Sequence, residues 1–366
     1  MAPIPLRFSG TILLPRHSQN AARHHSLNLT ADNEPDTDQP PRLHFAMSPL
    51  RMLTALASPG ARKGRLLSFF FHRVLDKPDP MMPGEMDAQR FDVMLKWIGE
   101  QFRVLPPLRA CEQLAAGTLP SRAAIISFDD GYRDNHDVAM PVLKRHGMQA
   151  VFFVASGYLG DGVQFNDRLT EAFRGLQAQS LDAEWLGLGR LPTGTLDDRL
   201  RALERVREAA KYLDPAARWR AVERVEAACG TSARGLQRGR VMMTPEEVAA
   251  LAANGMEIGG HTVMHPILQA VEDATAFAEI AAGRDALATI LGSAPLLFSY
   301  PNGKLEADFG LRHAEMARRA GFKFAFSTQR GVATPQTDPM LLPRFMPWHA
   351  DALRFKLQAL RVTAQR

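Results

Sequence analysis

Residues 123–133 read Ala-Ala-Ile-Ile-Ser-Phe-Asp-Asp-Gly-Tyr-Arg, an apolar run that stops at two adjacent carboxylates and a glycine. A short continuous apolar run with β-branched residues suits a strand covered on both faces, as in a parallel sheet. Asp129 and Asp130 then fall at its carboxyl end, where α/β architectures gather functional groups. Two neighbouring carboxylates there can divide the work, one binding a cation and the other accepting a proton. Asp-Gly is also ordinary turn chemistry, so the pair taken alone fits a tight turn with no chemistry better than a catalytic site.

Two further stretches bear on that choice. Met256 to His265 reads Met-Glu-Ile-Gly-Gly-His-Thr-Val-Met-His, a strand-like piece followed by two histidines four apart. Histidines at that spacing can turn both rings toward one ion. Three protein ligands plus an open position is the pattern of a catalytic rather than a structural zinc, and Asp130, His261 and His265 make such a set. Leu296 to Gly303, Leu-Leu-Phe-Ser-Tyr-Pro-Asn-Gly, is again an apolar strand running into a polar, turn-forming end.

Ser-Phe-Asp-Asp-Gly at 127–131 and His-Thr-Val-Met-His-Pro at 261–266 resemble the first two motifs of the polysaccharide deacetylases, the NodB-homology group of carbohydrate esterases. Tyr-Pro-Asn-Gly at 300–303 resembles a variant third motif in which the usual arginine is absent, and Ser299 stands in that arginine's place. The resemblance spans about residues 66 to 346. It implies a distorted parallel (β/α) barrel and a divalent metal, most commonly zinc with cobalt or nickel as alternatives. It implies Asp129 as catalytic base, Asp130, His261 and His265 as metal ligands, and hydrolysis of N-acetyl groups on an amino-sugar glycan. Tyr300 and Asn302 are then candidates for substrate and oxyanion contacts, and no other cation in the sequence stands out as the partner of the base. The leaving amine needs a proton, which the family takes from a late histidine. His349 is the histidine of that region, in a Pro-Trp-His-Ala context that departs from the motif.

Length and composition agree with an enzyme. The 366 residues, 46% of them hydrophobic, suffice for one large α/β domain with additions. Cys111 and Cys229 give no disulfide framework and no Cys-x-x-Cys spacing, and read as core thiols. The net charge of +5 is spread over helical stretches without an aromatic-interleaved stripe, which argues against a nucleic-acid partner. No run of about eighteen apolar residues predicts a membrane span, and the opening lacks the pattern of a secretory signal, so a cytoplasmic location is the default expectation. Oligomeric state has no readable signal.

In chain order, residues 1–64 read as a weakly ordered segment, with Met47 an alternative start of translation. Leu66 to Phe71 predicts a strand ending at His72, which resembles the Tyr-His-x-Val stretch of the same branch; His72 either lines the pocket or is satisfied by backbone partners. Residues 88–101 carry an apolar stripe at helical spacing. Asp134 and Asn135 read as caps of the helix that follows the paired aspartates. Residues 156–243 form a long helical insertion into a catalytic domain of 65–350, and 351–366 a closing helix or tail. Phe165-Asn166-Asp167 could touch substrate from that insertion, Asp167 being the better candidate for a helix N-cap. Two other functions remain open: a metal-dependent amidase on a small cyclic or linear amide, and a catalytically weakened domain that binds glycan.

Overall fold

The computed structural model describes residues 48–230, 239–347 and 351–365. The expectations for residues 1–47 and for His349 lie outside the described residues. In chain order the strands are β1 (Leu67–Phe71), β2 (Val74–Leu75), β3 (Met86–Asp87), β4 (Arg103–Val104), β5 (Ala123–Phe128), β6 (Val151–Val154), β7 (Ser180–Asp182), β8 (Arg190–Pro192), β9 (Glu257–Gly260), β10 (Leu297–Ser299), β11 (Phe324–Arg330) and β12 (Leu342–Arg344). The α-helices are α1 (Pro49–Ala57), α2 (Ala88–Gln101), α3 (Pro107–Ala115), α4 (Met140–Arg145), α5 (Phe165–Gly175), α6 (Leu196–Lys211), α7 (Pro215–Ala228), α8 (Pro245–Ala253), α9 (Asp273–Leu291), α10 (Leu311–Arg319) and α11 (Ala352–Ala364).

Seven strands run in the order β1-β5-β6-β9-β10-β11-β12, every neighbouring pair parallel. A parallel bridge between Phe69 and Phe345 brings the last strand back to the first and nearly closes a barrel. This is the distorted (β/α) barrel implied by the sequence. Its strands are short because they are buried on both sides: all six residues of β5 and all four of β6 are inaccessible, and helices cover their outer face. Phe128 stacks on Phe152 across β5 and β6 at 4.8 Å, one joint of the core beneath the strand ends.

Local sequence accounts for most helix boundaries. Thr244 and Glu247 form a capping box at the start of α8, with Pro245 at its first position. Gly283, mid-helix in α9, allows the helix to lie against Thr262: a Cβ there would stand 2.7 Å from that residue's carbonyl carbon.

Three readings need correction. Residues 48–64, expected to be weakly ordered, hold α1, which Ser48 caps and whose Thr54 is buried against Gln101. Asp134 and Asn135 do not cap: Asp134 pairs with Arg73 at 2.7 Å and Asn135 donates to the His72 carbonyl at 2.9 Å, tying the end of β1 to the loop after β5. Asp167 is not an N-cap either; Gln164 holds that position and Asp167 lies in the first turn of α5. The insertion is helical, with its own apolar core around Phe173, Leu203 and Val222, and it also contains the β7-β8 hairpin that the sequence reading did not foresee.

Candidate active site

The site lies at the carboxyl ends of β5, β9 and β10, where a cavity of about 550 Å³ opens between the barrel mouth and helices α5 and α6. Asp129, Asp130, His261, His265, Asn302 and His72 all line it. The backbone there is unusual. Asp130, Thr262, His265 and Asn302 all have positive φ, at 80°, 65°, 51° and 60°. Non-glycine residues enter that region only where surrounding structure over-determines them, and such strain concentrates at functional sites.

The turn at Asp130 sends the two carboxylates into different surroundings. Asp130 Oδ1 lies 3.4 Å from His261 Nε2 and 3.3 Å from His265 Nε2. It is buried, and no hydrogen bond to it forms among the described residues. One donor atom from each of the three residues falls within 4.8 Å of the others. His261 Nδ1 sits 2.6 Å from the Ser299 carbonyl, which fixes Nδ1 as the protonated nitrogen of the neutral ring and leaves the Nε2 lone pair for the cluster. The loop bearing the histidines is itself held: His265 N–H donates to Thr262 Oγ1, and Glu279 Oε2 accepts from the Val263 and Met264 amides.

Protonation follows from these surroundings. Burial works against a charged Asp130, but its contacts with the rings of His261 and His265 override it and hold its pKa well below the ordinary carboxylate value. Burial pulls His265 down to about 4. An ionised carboxylate beside a neutral imidazole, with an orphaned buried oxygen between two ring nitrogens, is a donor set that fits a divalent cation.

Asp129 points the other way, into the barrel. Its two oxygens accept from Arg344 Nη1 at 2.7 Å and Nη2 at 2.8 Å, a bidentate pair in which the arginine is wholly inaccessible. The guanidinium also donates to Ser299 Oγ at 2.8 Å and to the Ser327 carbonyl at 3.0 Å, and it packs over the Phe70 ring at 4.5 Å. Burial alone would raise the Asp129 carboxyl, and the guanidinium of Arg344, with a smaller contribution from His261, brings it below its ordinary value. Arg344 was missed in the sequence. It enters from β12, and the serine at position 299 leaves room for it. The available signal was its context, Leu-Leu-Pro-Arg-Phe at 341–345: an arginine inside a strand that must be buried has to be paired.

Tyr300 does not join the site. Its ring is inaccessible, stacks on Phe309 at 3.7 Å and donates its hydroxyl to the Met340 carbonyl at 3.0 Å. Its backbone N–H is used by the Phe326 carbonyl, and that of Gly303 by the Pro301 carbonyl. Asn302 carries the free backbone donor of that turn among the described residues, and its carbonyl accepts from Thr328 Oγ1 at 2.7 Å. On the insertion side, Asp167 reaches Tyr132 Oη at 3.3 Å and Arg73 at 3.6 Å, and burial pushes its carboxyl up to about 6.

Fold and donor set together are those of the metal-dependent barrel hydrolases. A family profile described as polysaccharide deacetylase matches residues 116–208 and 222–325, more than half of the chain. The chain belongs to the polysaccharide deacetylase family. It is 35% identical over 85 residues to YxkH of Bacillus subtilis strain 168, named as a polysaccharide deacetylase; the match covers 23% of this chain and 29% of that protein, well under two thirds of its length. Among solved structures, the Streptococcus pyogenes deacetylase PplD in complex with acetate superposes with a TM-score of 0.53 at 17% identity, covering 81% of this chain and 98% of the other. IcaB from Ammonifex degensii gives 0.51 at 18%, covering 82% and 97%. At these identities the two structures establish the fold.

Proposed function

We propose that the protein is a divalent-metal-dependent deacetylase that hydrolyses N-acetyl groups of amino sugars in an oligo- or polysaccharide. The observation that carries this reading is the division of the paired aspartates, one facing two histidine nitrogens and the other locked to a buried arginine in the same cavity. Asp130, His261 and His265 hold the ion, for which their mixed nitrogen and oxygen donors favour zinc, with cobalt or nickel as substitutes. The chemistry contributed by a bound divalent ion is polarisation of the amide carbonyl and acidification of water.

The rest is work for this chain's own groups. Asp129 takes the proton of the attacking water as general base, and Arg344 keeps it ionised and fixed in direction. The free Asn302 N–H donates to the oxygen on which negative charge develops. His72 lines the cavity beside the substrate. His349, in a context that departs from the family motif, is the sequence's candidate for the proton of the leaving amine. A cavity of about 550 Å³, within the range of ordinary ligand sites, supports a sugar-sized substrate.

The test is acetate release from N-acetylglucosamine oligomers by metal-stripped protein resupplied with zinc, cobalt or nickel. Release that returns with metal is the expected result. Release only from small amides would replace the substrate class, and metal uptake without hydrolysis of either would leave a glycan-binding domain.

No helix among the described residues is long and apolar enough to cross a membrane.

A further inference from the structure

A second cavity, of about 300 Å³, adjoins the first across His265, and Gln164, Phe165 and His265 line both. One residue on its wall is out of keeping with its surroundings. Arg218, in α7 of the insertion, is 7% exposed, yet no carboxylate among the described residues lies within ion-pair distance of it. Its contacts are the Phe165 ring, 4.9 Å from the guanidinium carbon, and the Lys211 carbonyl at 3.5 Å, the far limit of a hydrogen bond.

Other arginines of this side of the molecule are paired: Arg73 with Asp134 at 2.7 Å, Arg168 with Glu226 at 2.5 Å and Arg174 with Asp79 at 2.8 Å. The nearby acids are engaged elsewhere. Asp214 caps α7 through the Ala217 amide, and Glu279, the carboxylate on the cavity wall, accepts from the Val263 and Met264 amides. Burial pulls the guanidinium below its ordinary pKa, opposed only by Tyr158 and Asp214. A largely buried charge without a carboxylate partner is costly, and an anion in the cavity beside it would offset that cost.

We propose that Arg218 forms an anion subsite beside the metal centre, and that the substrate carries an oxyanion group, phosphate or carboxylate, which enters this second cavity while its N-acetyl group lies in the first. The proposal rests on the deacetylase reading for the identity of the N-acetyl partner. The shared Gln164, Phe165 and His265 put the two cavities side by side. A guanidinium presents a planar fork of donors matched to a phosphate or carboxylate.

The experiment compares kcat/KM for three substrates on metal-loaded protein: neutral N-acetylglucosamine disaccharide, N-acetylglucosamine 1-phosphate, and N-acetylglucosamine joined to glucuronic acid. One anionic substrate should exceed the neutral one, and which one does so names the source of the oxyanion. In Arg218→Gln the anionic-to-neutral ratio should fall roughly ten- to a hundredfold, the worth of a charge-assisted contact, with partial recovery in Arg218→Lys. An unchanged ratio in Arg218→Gln, or no anionic preference in the wild type, would overturn the subsite and leave the deacetylase reading standing. If no glycan is hydrolysed, that reading fails by itself, and calorimetric binding of glucose 1-phosphate and glucuronate decides the subsite. Binding lost in a cooperatively melting Arg218→Gln supports it, and binding absent from the wild type or unaltered in the variant overturns it.

Discussion

Asp129 and Asp130 are consecutive in the chain and face opposite conditions. Asp130 ends in an open cluster with two histidine nitrogens, its Oδ1 left without a hydrogen bond, whereas every oxygen of Asp129 is satisfied by one inaccessible guanidinium. Successive side chains at a strand end point to opposite faces, and the positive φ of Asp130 turns its carboxylate further toward β9. The difference teaches that one pair of acids can serve two compartments, one built to receive a cation from outside and one that carries its own. The first compartment draws on two loops, with Asp130 following β5 and His261 and His265 following β9. The second is assembled only when the barrel closes, because Arg344 is 215 residues from Asp129.

Breaking the closed compartment should have the largest effect. Arg344→Met leaves Asp129 buried without a counter-charge, which costs about 3–5 kcal/mol of stability at neutral pH, while Arg344→Met with Asp129→Asn recovers most of it. Chemical denaturation of the two variants measures both. The sign with pH follows from the depressed Asp129 carboxyl: a carboxylate lowered on folding contributes stability above its unfolded pKa and loses it as pH falls through the folded value. With Arg344 gone, burial dominates and the carboxyl moves up. The deficit of Arg344→Met is therefore greatest at neutral pH and shrinks as pH falls through the variant's raised carboxyl, above the ordinary carboxylate value of about 4. For the same reason the acid limb of its pH–rate profile lies at higher pH than that of the wild type.

A smaller effect sharpens the same comparison. Ser299→Ala removes one of the guanidinium's acceptors and should lower stability by about 1 kcal/mol, with a modest fall in kcat as Asp129 loses alignment. Thermal unfolding beside initial rates separates the two contributions. Smallest of all on catalysis is Tyr300→Phe. Its hydroxyl serves Met340 in the core, so the variant should lose about 1 kcal/mol of stability and keep kcat within about twofold. A large kinetic loss with stability intact would return Tyr300 to the site.

How much was legible in the sequence follows the same division. The barrel could be read because its strands are short apolar runs separated by helical stripes and glycine stops. The cluster of Asp130, His261 and His265 could be proposed because a strand end and a four-residue histidine spacing are local patterns. Arg344 could not be assigned, since nothing near it in sequence records which strand it will face; only its place among Leu342, Pro343 and Phe345 hinted at a partner. Tyr300 was a candidate contact because residues 300–303 resemble the family's third motif, and that resemblance does not record that the ring has an apolar partner in Phe309. Asp167 was misread for a related reason. Cap preference is a property of the local chain, whereas Tyr132 and Arg73 come from the barrel to meet the insertion.

The central claim is that the paired aspartates have separate duties, and metal retention measured beside acetate release in Asp129→Asn and Asp130→Asn tests it most directly. The account predicts that Asp129→Asn keeps close to one equivalent of metal and loses catalysis by about a hundredfold or more, whereas Asp130→Asn loses the metal itself. Full metal occupancy in Asp130→Asn, or near wild-type acetate release from Asp129→Asn, would contradict it.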